Sequence, residues 1–329
     1  MTQVDDMVIG KLTSAQVRSV LAAAARAPSP HNTQPWRFHR TATTIELHAD
    51  PDRALPVADP DRRELMVACG AALLNLRLAI RAQGCVVSVR LLPSAAQQNL
   101  LAVVKPMRSR IATTEEQRLA GAIDRRRTNR YPFTHAAVPV PVRNELRRAA
   151  ESEQARMATV RHTQLPALRS LVHTAHRIQQ HDGDFLAEWR SWVGRGTDKF
   201  DGVPRYSAGP RPETGDVWVL RDFALGRGEA RLPGHDFEPD PLLVVVGSAD
   251  DTPLGWLRAG QALQRVLLTA TTAGLAASFL AQVVEVAPAR ARLRALLDNA
   301  LWPQAVLRLG YGSWPVPPTP RRPADDYVP

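Results

Sequence analysis

The chain has 329 residues, of which 44% are hydrophobic and 22% are charged. This composition indicates a folded core and excludes a disordered, collagen-like or coiled-coil chain. The net charge is +10, but acidic residues interrupt the basic ones throughout and no nucleic-acid-binding module is recognisable, so we expect no nucleic-acid partner. The two cysteines, Cys69 and Cys85, are too few for a disulfide framework or a cysteine metal site.

The N-terminal part of the chain predicts a helix, a loop and a strand. Gln16 follows Thr13 at the spacing of a capping box, so we expect a helix to begin after Thr13. Pro28 and Pro30 end this helix, because proline cannot continue the backbone hydrogen bonding. Apolar and polar residues then alternate over 43–49, which indicates a strand.

The next apolar run, 62–83, predicts a long helix that ends at Gly84. Further strands are predicted at 86–91, 100–104, 157–161, 242–247 and 305–309. The stretch 266–284 has no charge, but its threonine, serine, glycine and glutamine residues make it too polar for a membrane span. We therefore expect a buried helix that runs into a buried strand, and no membrane partner.

The segment APSPHNTQPW, residues 27–36, is the most distinctive part of the chain. Its three prolines stiffen the backbone, and Ser29, Asn32 and Gln34 supply compact hydrogen-bonding groups. A stiff polar segment of this kind suits the edge of a planar ligand. The alternative is an ordinary turn-rich connection, and the residues alone leave both open. His31 in the same segment is either a proton donor or a turn histidine.

Two short basic segments are candidate anion sites. Four arginines, a threonine and an asparagine form RRRTNR at 125–130, at the end of a helical stretch, and PPTPRRP at 317–323 holds two more arginines on stiff, extended backbone. The guanidinium group suits phosphate because it presents several donors in one plane. The alternative for the first segment is a solvated basic helix end, which the helix dipole favours.

The patterns of other common active sites are absent from the sequence. No glycine-rich motif opens a helix after a strand, and no serine nucleophile elbow is recognisable. The nine histidines show no metal-ligand spacing, and we interpret His173 and His176 as the polar face of a helix. We therefore predict no metal site and assign no catalytic side chain.

A weak internal repeat divides the chain into two halves, 1–124 and 125–329. The pattern around Gly70 recurs around Gly260 at an offset of 190, and each copy is a long apolar helix that ends at a glycine. The second half carries about 65 extra residues, mainly at about 181–240, which are rich in glycine, proline and aromatic side chains. We interpret this insertion as a lid, with a structural excursion over the core as the alternative.

Three motifs resemble parts of the nitroreductase family of flavin enzymes. APSPHNTQPW resembles the flavin-contacting loop, RRTNRYPF the opening basic motif, and GYGSWPVPPTPRRP the closing phosphate-binding tail. The insertion is similar to that of the Acg-type actinobacterial branch, whose members are often named as NAD(P)H nitroreductases. The resemblance covers nearly the whole chain and implies an α+β, nitroreductase-like fold that normally dimerises, with FMN at the dimer interface.

The resemblance also implies two groups of FMN-binding residues. Those expected at the phosphate are Arg126, Arg127, Thr128, Arg130, and one of Arg321 and Arg322. Those expected at the flavin ring or the ribityl chain are Ser29, Asn32, Gln34 and Gln282. Within this family pattern, the first half has the flavin loop but no basic motif. The second half has the basic motif, but its equivalent loop at 150–155 lacks the proline–asparagine–glutamine pattern.

One complete site can therefore form between the halves, and the resemblance implies two fused repeats in an internal pseudo-dimer, with one FMN and a monomeric chain. The implied activity is an oxidoreductase that passes a hydride from NAD(P)H through FMN to a nitro, quinone or similar small-molecule acceptor. The alternative is a non-enzymatic flavin-binding or flavin-sequestering protein with a closed lid. The polar, acidic start of the sequence has no signal-peptide pattern, so we expect a cytoplasmic protein.

Overall fold

A computed structural model of the chain shows a mixed helix-and-sheet protein, as the sequence predicts. It describes residues 12–196, 198–231, 236–238, 240–312 and 315–327. The polar start of the chain and two parts of the predicted motifs, 232–235 in the insertion and 313–314 in the tail, lie outside the described residues.

The elements before residue 125 are α1 (Ser14–Ala25), β1 (Trp36–Arg40), β2 (Ile45–Ala49), α2 (Arg63–Ala82), β3 (Cys85–Leu91), β4 (Leu100–Ser109) and α3 (Thr114–Ala122). The later elements are α4 (Val140–Glu151), β5 (Arg156–Thr159), α5 (Leu165–Gln180), α6 (Gly183–Trp192), β6 (Val193–Arg195), β7 (Val203–Pro204), β8 (Leu242–Ser248), α7 (Pro253–Thr272), β9 (Ala276–Phe279), α8 (Gln282–Glu285), α9 (Ala287–Leu296) and β10 (Trp302–Gly310).

The two four-stranded sheets have the same strand order. The first is β1-β2-β4-β3 and the second is β5-β8-β10-β9, and all neighbouring strands are antiparallel. In each sheet a long helix follows the second strand in sequence: α2 follows β2, and α7 follows β8. The main difference lies between the first two strands of each sheet. A short turn joins β1 to β2, whereas β5 and β8 are separated by α5, α6, β6 and β7.

The local signals explain most of these elements. Thr13 and Gln16 form the predicted capping box at α1, and α2 ends before Gly84, whose φ is +78°. The strand β1 was not predicted, because its five residues follow the proline-rich segment and two of its polar residues are arginines. The predicted helix-to-strand transition at 266–284 is confirmed as the end of α7 followed by β9.

The two long helices, α2 and α7, pack closely against each other. Gly70 lies opposite Gly260, and a Cβ atom at either position would lie 2.9 Å from the other glycine's Cα. A buried hydrogen bond of 2.7 Å from Nε2 of Gln264 to Oδ1 of Asn75 also joins the pair. Apolar residues of each helix pack with its own sheet, so the helix pair connects the two hydrophobic cores.

The helix α2 is long and apolar enough to cross a membrane by length and composition alone. However, 78% of its most apolar window is buried inside the protein. Burial against α1, α7 and the first sheet accounts for its composition, because a helix that is apolar on all sides belongs in the core of a large protein as well as in a bilayer.

Replacing Gly260 with alanine should destabilise the protein. The added Cβ would lie 2.1 Å from the carbonyl oxygen of Val67, so the backbones of α2 and α7 must separate. We expect the free energy of unfolding in urea to fall by about 1–3 kcal/mol. The matched control is Gly121→Ala in α3, where a Cβ meets nothing within 4 Å and alanine should stabilise the helix by about 0.5–1 kcal/mol. An unchanged unfolding midpoint for Gly260→Ala would contradict the close contact.

Candidate active site

A large cavity lies between the start of α2, the second sheet and the tail. It encloses about 1390 Å³ of empty space, part of it open to solvent. The loop after α1 and the start of α2 form one side, and β9, α8 and β10 form another. The segment 126–130, the insertion before β8, and the tail complete the lining. The cavity therefore depends on segments from the whole length of the chain.

Eight of the ten residues predicted as ligand contacts line this cavity. They are Ser29, Asn32, Arg126, Arg127, Thr128, Arg130, Gln282 and Arg321. The fold thus brings together side chains that are almost 300 positions apart in sequence. What they bind remains a prediction.

The other two, Gln34 and Arg322, do not line the cavity and connect the loop to the tail instead. Gln34 is fully buried; its Nε2 donates to the carbonyl oxygen of Phe200 (2.9 Å), and its Oε1 accepts from the backbone N–H of Arg322 (3.0 Å). Arg322 donates to the carbonyl oxygens of Gln34 (2.9 Å) and Trp36 (2.8 Å). This corrects the expectation that Gln34 faces a ligand, and it leaves Arg321 as the tail arginine of the cavity.

The loop after α1 has an unusual backbone. His31, Asn32 and Gln34 have φ angles of 49°, 58° and 52°, which are uncommon for residues other than glycine. Oγ of Ser29 accepts a hydrogen bond of 2.9 Å from the backbone N–H of Gln34 and helps to hold this conformation. Such strain persists only where surrounding contacts determine the geometry, and it is concentrated at functional sites.

Asn32 connects three parts of the molecule. Its Nδ2 donates to the carbonyl oxygens of Gly202 in the insertion (3.0 Å) and Pro320 in the tail (3.1 Å). Its Oδ1 accepts from Nη1 of Arg321 at 3.1 Å. Both amide protons are therefore used inside the protein, so the main role of Asn32 in this arrangement is to position Arg321.

Two arginines, the buried Arg126 and the half-buried Arg321, share one end of the cavity without a carboxylate partner in the described part of the chain. Arg126 is 5% exposed, and its Nε and Nη1 have no hydrogen-bond partner among the described residues. Arg321 donates from Nε and Nη2 to the carbonyl oxygens of Ala25, Arg26 and Ala27, at 2.9 to 3.2 Å. Arg321 is thus held by the end of α1, whereas Arg126 keeps unused donors.

Burial and repulsion from neighbouring arginines lower the pKa of both guanidinium groups. Burial lowers the pKa of Arg126 to about 10, and the neighbouring Arg127 acts in the same direction. Burial also lowers the pKa of Arg321 to about 9, with further repulsion from Arg126, Arg26 and Arg127. Both guanidinium groups remain charged at neutral pH. A bound anion would relieve this repulsion and satisfy the free donors of Arg126, so the geometry fits a phosphate group.

The segment 126–130 is held against β9. The backbone N–H of Asn129 donates to the carbonyl oxygen of Ala277 at 2.8 Å. Beyond it, Arg130 turns toward the insertion, where its Nη1 donates to the carbonyl oxygen of Ser207 (2.7 Å) and its guanidinium carbon lies 4.2 Å from the ring centroid of Phe223. Arg130 therefore links the basic segment to the insertion and does not join Arg126 and Arg321 at the end of the cavity.

A second group of charges in the cavity contains two carboxyl groups. Oε1 of Glu64 accepts a hydrogen bond of 2.8 Å from Nη2 of Arg63, while Oε2 has no hydrogen-bond partner among the described residues. Glu285 forms an ion pair with Arg221, and its Oε2 accepts from Nε2 of Gln179 at 2.7 Å. Only Glu285 is thus fully compensated.

These contacts and burial shift the pKa values of Glu64, Glu285 and His31 in different directions. Burial and the negative charge of Glu285 raise the pKa of Glu64 to about 8. Arg221 lowers the pKa of Glu285, although burial opposes this. Burial lowers the pKa of His31 to about 4, an effect that Glu285 opposes and Arg221 reinforces. The raised pKa favours the protonated form of Glu64, whereas the lowered pKa values favour an ionised Glu285 and a neutral His31.

Glu64, Arg221 and Phe223 also line the cavity, although their positions in the sequence do not predict this. An acidic residue in the first turn of a helix is ordinary, and arginines are abundant in this chain. The signal for Glu64 is its place in the first turn of a mainly apolar helix, where an acidic residue is buried. The contribution of Arg221 and Phe223 depends on how the insertion folds back, which the local pattern does not show.

Sequence comparisons with a family model and with known relatives agree on one family. The model of the Nitroreductase family matches residues 10–59. A Mycobacterium tuberculosis H37Rv protein named "Putative NAD(P)H nitroreductase acg" is 32% identical over 320 residues, which cover 96% of each chain. "Putative NAD(P)H nitroreductase Rv3131" from the same strain is 35% identical over 93% of this chain and 89% of its own. The solved FMN and NADPH-dependent nitroreductase NfnB from sphigopyxis sp. strain HMH is 18% identical, with a TM-score of 0.38 over 64% of this chain and 97% of its own.

The titration of Glu64 should appear in the pH dependence of stability. Its pKa rises from 4.5 to about 8 on folding, so the folded protein binds this proton more tightly than the unfolded chain does. Glu64 should therefore make the free energy of unfolding fall as the pH rises through this window, by up to about 1.4 kcal/mol per pH unit. Urea unfolding of Glu64→Gln should show a flatter profile. The control Glu151→Gln, at an exposed position, should keep the wild-type slope, and parallel profiles for wild type and Glu64→Gln would reject the assignment.

Proposed function

Because the chain belongs to the nitroreductase family, we propose that it is an FMN-dependent oxidoreductase that uses NAD(P)H to reduce a nitro, quinone or similar small-molecule acceptor. The observation that carries the proposal is the pair of cations at one end of the cavity, the buried Arg126 with unused donors and the half-buried Arg321 beside it. NAD(P)H is a cytoplasmic reductant, so the proposal includes a cytoplasmic location.

The FMN phosphate would lie at the arginine cluster. Arg126 has two nitrogen atoms free to donate, Arg321 is fixed by the carbonyl oxygens at the end of α1, and Thr128 adds a hydroxyl to the same lining. Phosphate needs several donors from different directions and gains most from charged ones. The flavin ring would extend toward Ser29 and Gln282, which line the cavity from the α1 loop and from α8.

The internal pseudo-dimer is part of this proposal. The two sheets share one strand order, their long helices pack together at Gly70 and Gly260, and the cavity is lined by 28–32 from one half and 126–130 from the other. One chain would thus supply both sides of a site that an ordinary family member completes with a second subunit. We propose one FMN per chain and a functional monomer.

The chemistry that FMN supplies when bound is hydride transfer between NAD(P)H and the acceptor. The protein would bind the cofactor at the arginines, orient it between the two halves and limit access of water. Glu64 would contribute a proton: Arg63 donates to its Oε1, so the proton can be held on Oε2, which has no partner among the described residues. Reduction of a nitro or quinone group places negative charge on its oxygen, and a neutral carboxyl group is a suitable donor to it.

The insertion favours a second candidate function, a flavin-binding protein with a closed lid. Residues 218–221, together with Val203 and Phe223, line the cavity from the insertion. The insertion also contacts the α1 loop through Gly202 and the tail through Tyr206, whose hydroxyl donates to the carbonyl oxygen of Pro318 at 3.2 Å. A cover attached at both edges would restrict entry of nicotinamide and of large acceptors.

The phosphate assignment can be tested with two flavins. Arg126→Gln should weaken FMN binding by about ten- to a hundredfold, because a charge-assisted hydrogen bond contributes about 1.5–3 kcal/mol. Riboflavin, which has no phosphate, should bind the wild type and the variant with similar affinity. Fluorescence titration measures both affinities and also the expected stoichiometry of one FMN per chain.

The matched control for this experiment is Arg125→Gln. Arg125 is the exposed neighbour of Arg126, and its Nε donates to the carbonyl oxygen of Gly121. It should leave FMN affinity unchanged. Equal losses of riboflavin and FMN affinity in Arg126→Gln would show a general distortion of the cavity instead of a lost phosphate contact. Two FMN molecules per chain would contradict the single site between the halves.

The covering role of the insertion can be tested by comparing reductants. Tyr206→Phe removes one hydrogen bond between the insertion and the tail, so it should speed flavin reduction by NADPH about two- to tenfold and leave reduction by the small reductant dithionite unchanged. Stopped-flow absorbance under anaerobic conditions measures both rates. Tyr131→Phe is the control, since Tyr131 lies outside the insertion and the tail and does not line the cavity. Equal NADPH rates in all three proteins would show that this contact does not control access.

A further inference from the structure

A second group of ligating side chains lies on the hairpin of β1 and β2, apart from the cavity. The strand register places His39 directly opposite Glu46, and His48 is two residues beyond Glu46 on the same strand. Side chains at opposite positions, and at alternate positions along a strand, project from the same face of a sheet. All three therefore lie on one face of the hairpin. Their spacing in sequence does not reveal this, because the register of the strands creates the cluster.

The three side chains are already close together. Nε2 of His48 lies 2.9 Å from Oε2 of Glu46, and the rings of His39 and His48 stack with centroids 4.4 Å apart. One ligating atom from each of the three lies within 4.8 Å of the others. Tetrahedral ligands of Zn²⁺, at bond lengths near 2.0–2.1 Å, are about 3.3 Å apart. Small side-chain rotations are enough to close this difference.

The charge around the hairpin permits a cation. Arg37 is opposite His48 on the same face, but its Nη2 lies 2.8 Å from a carboxylate oxygen of Asp50 and 3.0 Å from one of Asp52. The positive charge of Arg37 is therefore compensated by its own partners. Two imidazoles and one carboxylate form a donor set that Zn²⁺ accepts, with one coordination position left for water.

We propose that His39, Glu46 and His48 form a binding site for one Zn²⁺ ion. The ion would join the edge strand β1 to β2 and stabilise the hairpin that begins at Trp36, directly after the loop lining the cavity. This site shares no residue with the proposed flavin site, so it does not depend on the proposed function.

The test is calorimetric titration of the untagged, chelator-treated full-length protein with Zn²⁺. We expect about one equivalent to bind to the wild type. Affinity should fall about tenfold or more in Glu46→Gln and binding should be lost in His39→Asn/His48→Asn. His135→Asn, which replaces an exposed histidine outside the cluster, is the matched control and should bind as the wild type does. Mg²⁺, which prefers octahedral oxygen ligands, should not bind at this site.

Circular dichroism and unfolding without added metal should be unchanged in each variant, since the three side chains lie on the face of the hairpin opposite the buried Phe38 and Leu47. Zn²⁺ should raise the unfolding temperature of the wild type and the control but not of the double variant. Absence of Zn²⁺ binding to the wild type, or equal binding by the double variant, would overturn the proposal.

Discussion

The close contact between Gly70 of α2 and Gly260 of α7 determines the geometry on which the cavity depends. No side chain separates the two helices at this point, so the distance between the two sheets is set by backbone contact and cannot adapt to small changes in packing. Val67 lies one turn before Gly70 and Leu263 lies one turn after Gly260, and both line the cavity. The contact that joins the two cores therefore also fixes the width of the candidate active site.

The fold stabilises the charges of the two arginines at the end of the cavity unequally. Arg321 is placed at the C-terminus of α1, where the unpaired carbonyl oxygens of Ala25, Arg26 and Ala27 carry partial negative charge and accept its hydrogen bonds. Arg126 has no equivalent support among the described residues. A buried, unsatisfied cation costs stability, and an anion bound beside Arg126 would reduce this cost.

The sequence predicted the parts of this site whose signals are local. The capping box at Thr13, the long helix ending at Gly84 and the polar loop around Ser29 are visible in short segments, and the structure has all three where they were expected. Tertiary contacts decided the rest. Gln34 and Arg321 both belong to recognisable motifs, but only the path of the tail determines that one holds the loop and the other lines the cavity. The cross-strand cluster on β1 and β2 depends in the same way on strand register.

The different charges at the two ends of the cavity would orient a bound ligand. The arginine cluster would attract an anionic group, whereas Arg221 neutralises Glu285 and the raised pKa of Glu64 favours its uncharged form. If both carboxyl groups were ionised without Arg221, their repulsion would extend across the region that a reacting group must enter. The ion pair keeps Glu285 ionised, and the negative charge of Glu285 favours a proton on Glu64. Arg221 comes from the insertion, so a segment that lines the cavity also influences the protonation of its acidic end.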